Sequence, residues 1–425
     1  MPASQDHPLR ASLSDLMHAR ALPIFASPVI VRSWVYLVGD EERAAERQWI
    51  DSLPGEHGAE GWTLHDVNDR EGMVWERHGE FSTYLHFTTQ VNMAAERRGG
   101  LGFGGQGSGE MGDDVFPWLA EAPGRVFRSV EIAVLRYAPK TEQLQAKIDL
   151  GQAVCCDVFG GAARIWSDFR LHEGGSGRIY VQDKGLKNDE LSRLLQCLIE
   201  IGHYRKLALL GFPVARELMS WLKDAEAKLA AVTADMAGHA ASQDQVLERL
   251  MALSAEVEQR VGAVRYRQGA TEAYAQLTED RLRSLRESRV DGFSTMQEFI
   301  ERRLDPAMRT CQAAARRLDD LSTRIGRVSD LLRARVSISL EVQNQGLLRN
   351  MDLRSKLQMK LQALVEGLSV FAVSYYIFNL VKYVMEPLVS VKTAHALYPL
   401  VIAAIIAVAW LFIYHRKKRI ENQAE

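Results

Sequence analysis

The segment WERHGEF places Glu76, His78 and Glu80 at alternate positions. On a regular strand, alternate side chains project to one face. Two carboxylates and an imidazole held there could bind a divalent cation or share a proton. His18 and Arg20, in the segment HAR, could join that face or pair with one of its carboxylates. Gly79 offers a different outcome. It can turn the chain and separate the three side chains, leaving a solvated hairpin edge, and this is the favoured expectation.

Other chemistries find less support. Gly100, Gly102 and Gly105 spell G-x-G-x-x-G, but QVNMAAERR precedes them and DDVFPWL follows. A dinucleotide site needs a strand before the glycines and a helix after them. The Gly-rich run at 99–112 therefore reads as a flexible surface loop. No G-x-x-x-x-G-K-[ST] occurs, and no Ser-His-Asp or Cys-His set is legible. The expectation is a protein that is not an enzyme, with no cofactor and no firm metal site.

The second group of polar residues lies in an apolar setting. VEGLSVFAVSYYIFNLVKYV, Val365 to Val384, carries Ser369, Tyr376, Asn379 and Tyr383. At ~100° per residue these four fall within about 80° of one helix face. They could line a pore in an oligomer, or glue two membrane helices together; the second is favoured. Residues 364–385 and 396–414 are each long enough for the ~20 residues that cross a bilayer. Tyr398, Trp410 and Tyr414 suit interfacial anchors. Pro399 would fall in the first turn of the second span. Arg349, Arg354, Lys356 and Lys360 precede the first span, and Arg416, Lys417, Lys418 and Arg419 follow the second. By the positive-inside rule both termini are cytoplasmic, and residues 386–395 form an outer, periplasmic loop. A multi-pass protein of a bacterial inner membrane fits this pattern. The N-terminal MPASQDHPLRASLSDLMHAR has no apolar core, so no cleavable signal is expected.

The remaining elements must position these groups. The chain of 425 residues has a formal net charge of −2, which gives no bulk basic charge for nucleic acid. Cys155, Cys156, Cys197 and Cys311 form no C-x-x-C, which fits a reducing compartment. Runs rich in β-branched and aromatic residues predict strands near 29–38, 62–67, 72–77, 80–88, 126–137, 153–159, 163–169 and 178–182. Helical stretches lie at 40–51 and 139–150. From Asn188 onward the chain turns helical, with long stretches at about 214–260 and 264–288. Ser294 is a plausible N-cap for a short helix to Leu304, and Pro306 opens the last helix. Leu318, Leu321, Ile325, Val328 and Leu332 follow 3-4-3-4 spacing, resumed by Leu357, Leu361, Leu364 and Leu368. That seam serves either an antiparallel bundle within one chain or a stalk between subunits.

The fold class expected is an α+β N-terminal cytoplasmic domain, a long helical and coiled-coil region, and a C-terminal two-helix transmembrane hairpin. The divisions are 1–187 for the α/β domain, 188–305 for a helical bundle and 306–363 for a stalk helix. Residues 364–385 and 396–414 form the spans, and 415–425 a basic cytoplasmic tail.

Several longer motifs resemble one family. IEIGHYRKLALLGFPVAR at 199–216, RRLDPAMRTC at 302–311 and QNQGLLRNMDLRSKLQMKLQALVEGLSVFAVSYY at 343–376 carry the likeness, with WERHGEF and HAR. The chain resembles the membrane-anchored proteins grouped as domain of unknown function 3422, over nearly its whole length. It departs from that pattern at Ala21, at Gly202-His203, where the family tends to carry Glu-Thr, and in the Gly-rich run. The resemblance implies kinship and topology and brings no activity with it. The order of domains also resembles CorA-type divalent-cation channels, but KYVMEPLVSVKTAH holds no Gly-Met-Asn after the first span.

The leading expectation is a membrane-anchored cytoplasmic sensor or interaction protein, homo-oligomeric through its stalk, with an unidentified cytoplasmic protein as a further partner. A CorA-like ion channel is the alternative. A membrane-tethered enzyme acting through Glu76, His78 and Glu80 ranks last.

Overall fold

The computed structural model describes residues 7, 9–10, 22–57, 61–65, 70–89, 119, 121–172, 174–238, 242–385 and 391–421. It divides into two compact units, Met1–Arg327 and Val328–Glu425.

Among the described residues of the first unit, ten strands form one sheet, in the order β10-β7-β8-β9-β6-β1-β5-β4-β3-β2. In chain order they are β1 Val29–Leu37, β2 Glu56–His57, β3 Gly61–His65, β4 Glu71–Arg77 and β5 Phe81–Thr88, then β6 Arg125–Leu135, β7 Val154–Val158, β8 Ala163–Ser167, β9 Gly177–Asp183 and β10 Ser288–Arg289. Neighbours run antiparallel except β6 and β9, which are parallel. Each strand anticipated in the sequence is present within a few residues of its expected bounds. The two short edge strands β2 and β10 are additional, because two residues carry no readable alternation.

The period of two explains how the sheet is covered. β1 reads VIVRSWVYL. Val29 and Val31 enter a core with Leu191, Leu194, Leu195 and Leu198 of helix α3 (Asn188–Leu209), while Tyr36 faces Ile50 of α1 (Glu42–Ser52). A short α2 (Thr141–Gln145) brings Leu144 against Trp166 and Tyr180. Helices therefore lie on both faces. α3 buries positions spaced i, i+3, i+4 and i+7, the stripe an amphipathic helix needs. It closes the sheet's core although it opens the helical half of the sequence. The helix expected over 139–150 is shorter, Thr141–Gln145, and a local turn follows in which Asp149 accepts the Gly151 N–H (3.1 Å).

Helices α4 (Gly211–Gly238), α5 (Gln243–Leu285) and the start of α6 (Met296–Met385) form a bundle. Arg249–Asp235 (2.7 Å) and Lys228–Glu256 (2.8 Å) join α4 to α5, and Arg317–Glu226 (2.8 Å) joins α6 to α4. No break falls at the expected 260–264, which lies inside α5; α5 begins at Gln243, and the Ser242 hydroxyl caps the Gln245 N–H (3.3 Å). Gly262 stays inside α5, at an interior cost of only about 1 kcal/mol. Thr295, not Ser294, caps α6: its hydroxyl accepts the Glu298 N–H (3.1 Å), and the Glu298 carboxylate accepts the Thr295 N–H (3.2 Å). Pro306 does not open a helix but sits inside α6. Leu304, Ala307, Cys311 and Ala314 around it are buried, which offsets the missing N–H.

The heptad seam divides in two. Leu318 is 2% exposed, Leu321 and Ile325 are equally enclosed, whereas Leu361 is 62% exposed. The first half thus packs within its own chain.

The second unit holds the rest of α6 and α7 (Val391–Glu421). The Phe378 and Tyr398 rings meet edge to face at 5.9 Å between centroids. A 550 Å³ apolar cavity is lined by Val373 and Ile377 of α6 and by Ala404 and Val408 of α7. Among the described residues, one helix is long and apolar enough to cross a membrane, and Leu397–Phe412 is a shorter apolar stretch. Since α7 begins at Val391, Pro399 lies inside it, about two turns from its start.

Candidate functional site

β4 ends at Arg77 and β5 begins at Phe81, so His78, Gly79 and Glu80 form the hairpin tip. The His78 N–H donates to the Phe81 carbonyl (2.9 Å), which closes the turn. Gly79 thus does what its flexibility allows, and the three side chains part company. Glu76 and His78 remain neighbours, with His78 Nε2 3.8 Å from Glu76 Oε2. Glu80 is drawn to α5, where Arg267 engages both of its oxygens. Among the described residues, no group of three or more His, Cys, Asp or Glu side chains is placed to hold a metal ion. His18 and Arg20, like the Gly-rich run, lie outside the described residues.

The fold adds partners that the hairpin alone does not suggest. A 110 Å³ cavity lies between the hairpin and α3, lined by Glu76, His78, Ser33, Glu200, His203 and Tyr204, among others. Ser33 Oγ and His203 Nε2 are 3.3 Å apart and both are buried. Burial holds His203 well below the ordinary histidine range, and Arg128 and His78 add to the effect. Burial also lowers His78 to about 4, and its ring stacks on Phe81 at 4.3 Å. Both imidazoles are neutral at pH 7. A neutral imidazole beside a serine could accept its proton. The cavity, however, is well below the roughly 300 Å³ at which ligand clefts begin. Glu200 is engaged by Arg281, and Arg281 and Glu200 sit at the edge of the same helix pair. The arrangement locks the hairpin onto α3 and α5.

Ser33 was within reach of sequence reasoning, because it occupies the inward register of β1 between Val31 and Val35. Glu200, His203 and Tyr204 carry no such mark, since their relation to the hairpin is set by how α3 crosses the sheet.

The polar residues of the apolar stretch of α6 are also sorted. The Ser369 hydroxyl donates to the Val365 carbonyl one turn back (2.8 Å), so its own helix satisfies it. Tyr376 is 73% exposed and Tyr383 similarly so, while Asn379 is half-buried. Ser369 lines the cavity facing α7, and Tyr376 and Tyr383 are not among its lining residues.

A sheet with helices on both faces, a three-helix bundle and an apolar C-terminal helix define the class: an α/β protein with a long helical extension. The family model described as Protein of unknown function (DUF3422) matches residues 5–421, and the chain belongs to that family. No curated protein and no solved structure matches it.

Proposed function

We propose that this protein is a non-enzymatic, membrane-anchored sensor or interaction protein, which self-associates through the part of α6 beyond the bundle. The observation that carries this reading is the change of character along one helix. Up to Ile325 the apolar seam of α6 is buried, and from Ile338 to Val384 most of its large apolar residues are exposed. Burying each such side chain is worth about 1.5–3 kcal/mol, so a run of this length calls for a partner surface or lipid. Positions 336, 343, 350, 357 and 364, with 340, 347, 354, 361 and 368, form a heptad, in a register shifted from that of the buried seam, that reads Val, Gln, Asn, Leu, Leu and Leu, Leu, Arg, Leu, Leu. Polar Gln343, Asn350 and Arg354 in its middle would set register between parallel copies. Beyond Leu364 the apolar stretch and α7 would form the membrane hairpin, with both termini in the cytoplasm.

A second reading, an oligomeric CorA-like channel, draws on the outward-facing Tyr376 and Tyr383, which would meet neighbouring copies. Mass in mild detergent addresses both. The expected species is an oligomer that Leu347→Asp with Leu361→Asp reduces to a monomer, still inserted in the membrane. Ile325 is unsuitable for this test, because replacing it would unfold the bundle. A wild-type monomer contradicts both readings. Cation flux through reconstituted oligomers would favour the channel.

A further inference from the structure

We propose that the cavity between β6, the β8–β9 connection and α3 binds a phosphate ion or the phosphoryl group of a small metabolite, held by Arg128, Arg205 and Lys206. The site is separate from the hairpin cavity and does not depend on membrane anchoring or self-association.

The cavity measures 230 Å³, and among the described residues no carboxylate lines it. Arg128 sits in the middle of β6 and is only 5% exposed. Its guanidinium lies against Gly202 of α3, where any Cβ would collide with it; the missing side chain makes the room. Arg205 follows one turn later on the same helix. Its guanidinium stacks over the Phe169 ring (4.4 Å), Phe169 stacks on Phe299 (4.6 Å), and Arg303 lies over Phe299 (3.7 Å). Phe169 holds a left-handed backbone (φ 56°), which a bulky residue adopts only under constraint; its N–H is tied to Ser167 Oγ (3.2 Å).

The hydrogen-bond inventory separates committed cations from waiting ones. Arg170 pairs with Asp149 (3.2 Å) and Gln152 (2.8 Å), and Arg178 donates to the Lys147 carbonyl (3.2 Å). Asp168, just before the loop, is occupied by the Asp149 and Arg170 N–H groups and by His172. By contrast, Arg128 Nη1 and Arg205 Nε are buried with no hydrogen-bond partner. Burial and the nearby Arg205 lower Arg128 to about 9; burial and Arg303 lower Arg205 to about 10. Lys206 is lowered by burial and by both arginines. The two guanidiniums stay charged at pH 7 and repel each other. Buried charges persist when paired, and like charges beside an empty space call for an anion between them.

A dianionic tetrahedral group fits best. Guanidinium edges match phosphoryl oxygens in bidentate fashion, and Lys206 adds a point charge. The volume accommodates a phosphate with a short carbon chain but falls below the roughly 300 Å³ of typical ligand clefts, which argues against a whole nucleotide.

The test is thermal unfolding of the full chain in detergent, dialysed into chloride buffer, titrated with inorganic phosphate or glycerol phosphate at constant ionic strength. The proposal expects saturable stabilisation by at least one of them; the tighter binder tells whether the free ion or the phosphoryl group of a metabolite is the ligand. Arg205→Gln should weaken the apparent affinity about tenfold or more, as loss of a charged hydrogen-bond donor does. Lys206→Met should weaken it less. Arg128→Met should abolish it, and the other two variants carry the test if Arg128→Met fails to fold. No saturable effect from either anion, or the same effect in Arg205→Gln as in wild type, overturns the proposal.

Discussion

Two faces of the same sheet bury charge in opposite ways. On the α1 side, Glu46 is fully enclosed and accepts from Trp75 Nε1 (3.2 Å), Tyr84 Oη (2.9 Å), Ser82 Oγ (3.0 Å) and Arg77 Nη2 (3.4 Å). Every lone pair that burial removes from water is replaced. On the α3 side, Arg128 is almost as deeply buried, yet one of its nitrogens has no partner and the charge that acts on it is that of another arginine, Arg205. The first arrangement is finished and serves the fold. The second is incomplete without something the chain does not supply. Two histidines on the α3 side take a third course: burial leaves His78 and His203 uncharged. How a buried group is partnered, more than burial itself, separates a structural charge from one poised to bind.

The comparison can be broken most forcefully at Glu46. Glu46→Ala strands four donors and should cost about 3–5 kcal/mol in unfolding experiments. A loss below about 1 kcal/mol would mean that the network is not the structural anchor described. The next effect is in pH. Burial lowers His78 to about 4 in the folded chain, against an ordinary histidine value of about 6.5, so the unfolded chain binds the proton first. Stability should be full above pH 6.5 and fall as pH drops toward 4, by at most about 3 kcal/mol for this group, with partial exposure reducing the figure. His203 and His86, also lowered by burial, act in the same direction. His78→Gln should flatten the decline between pH 6.5 and 4.5. An unchanged pH slope in that variant would show that His78 is not held neutral by the fold.

The sequence announced the sheet through alternation, and helix α3 through its apolar stripe. Both signals survive because each is local and repeats over many residues. It also placed the long helix through the apolar stretch, since nothing between Pro306 and Met385 interrupts it. The helix starts were less legible. Ser294 and Thr295 are adjacent and chemically alike, and only the reciprocal bond from Glu298 decides between them. The hairpin was legible as a choice, with Gly79 as its hinge, but not the capture of Glu80 by Arg267, which lies 187 residues away in sequence. The cation cluster was invisible for the same reason. Arg128 comes from a strand and Arg205 from a helix, and neither has a pattern of its own. One trace was present: Arg205 and Lys206 interrupt the apolar run IEIGHYRKLALLGF, where a buried helix would rather hold apolar residues.

The smallest expected effect is also the most direct test of the contrast between the two faces. It is the unfolding free energy of Arg128→Met in phosphate-free chloride buffer, measured beside wild type and Glu46→Ala. An unpaired buried charge opposes folding, and an apolar side chain of similar length removes that opposition. The account predicts that Arg128→Met is as stable as wild type or gains about 1–3 kcal/mol, while Glu46→Ala is strongly destabilised. A loss for Arg128→Met comparable to that of Glu46→Ala would contradict it, because Arg128 would then be a finished structural charge and not one awaiting an anion.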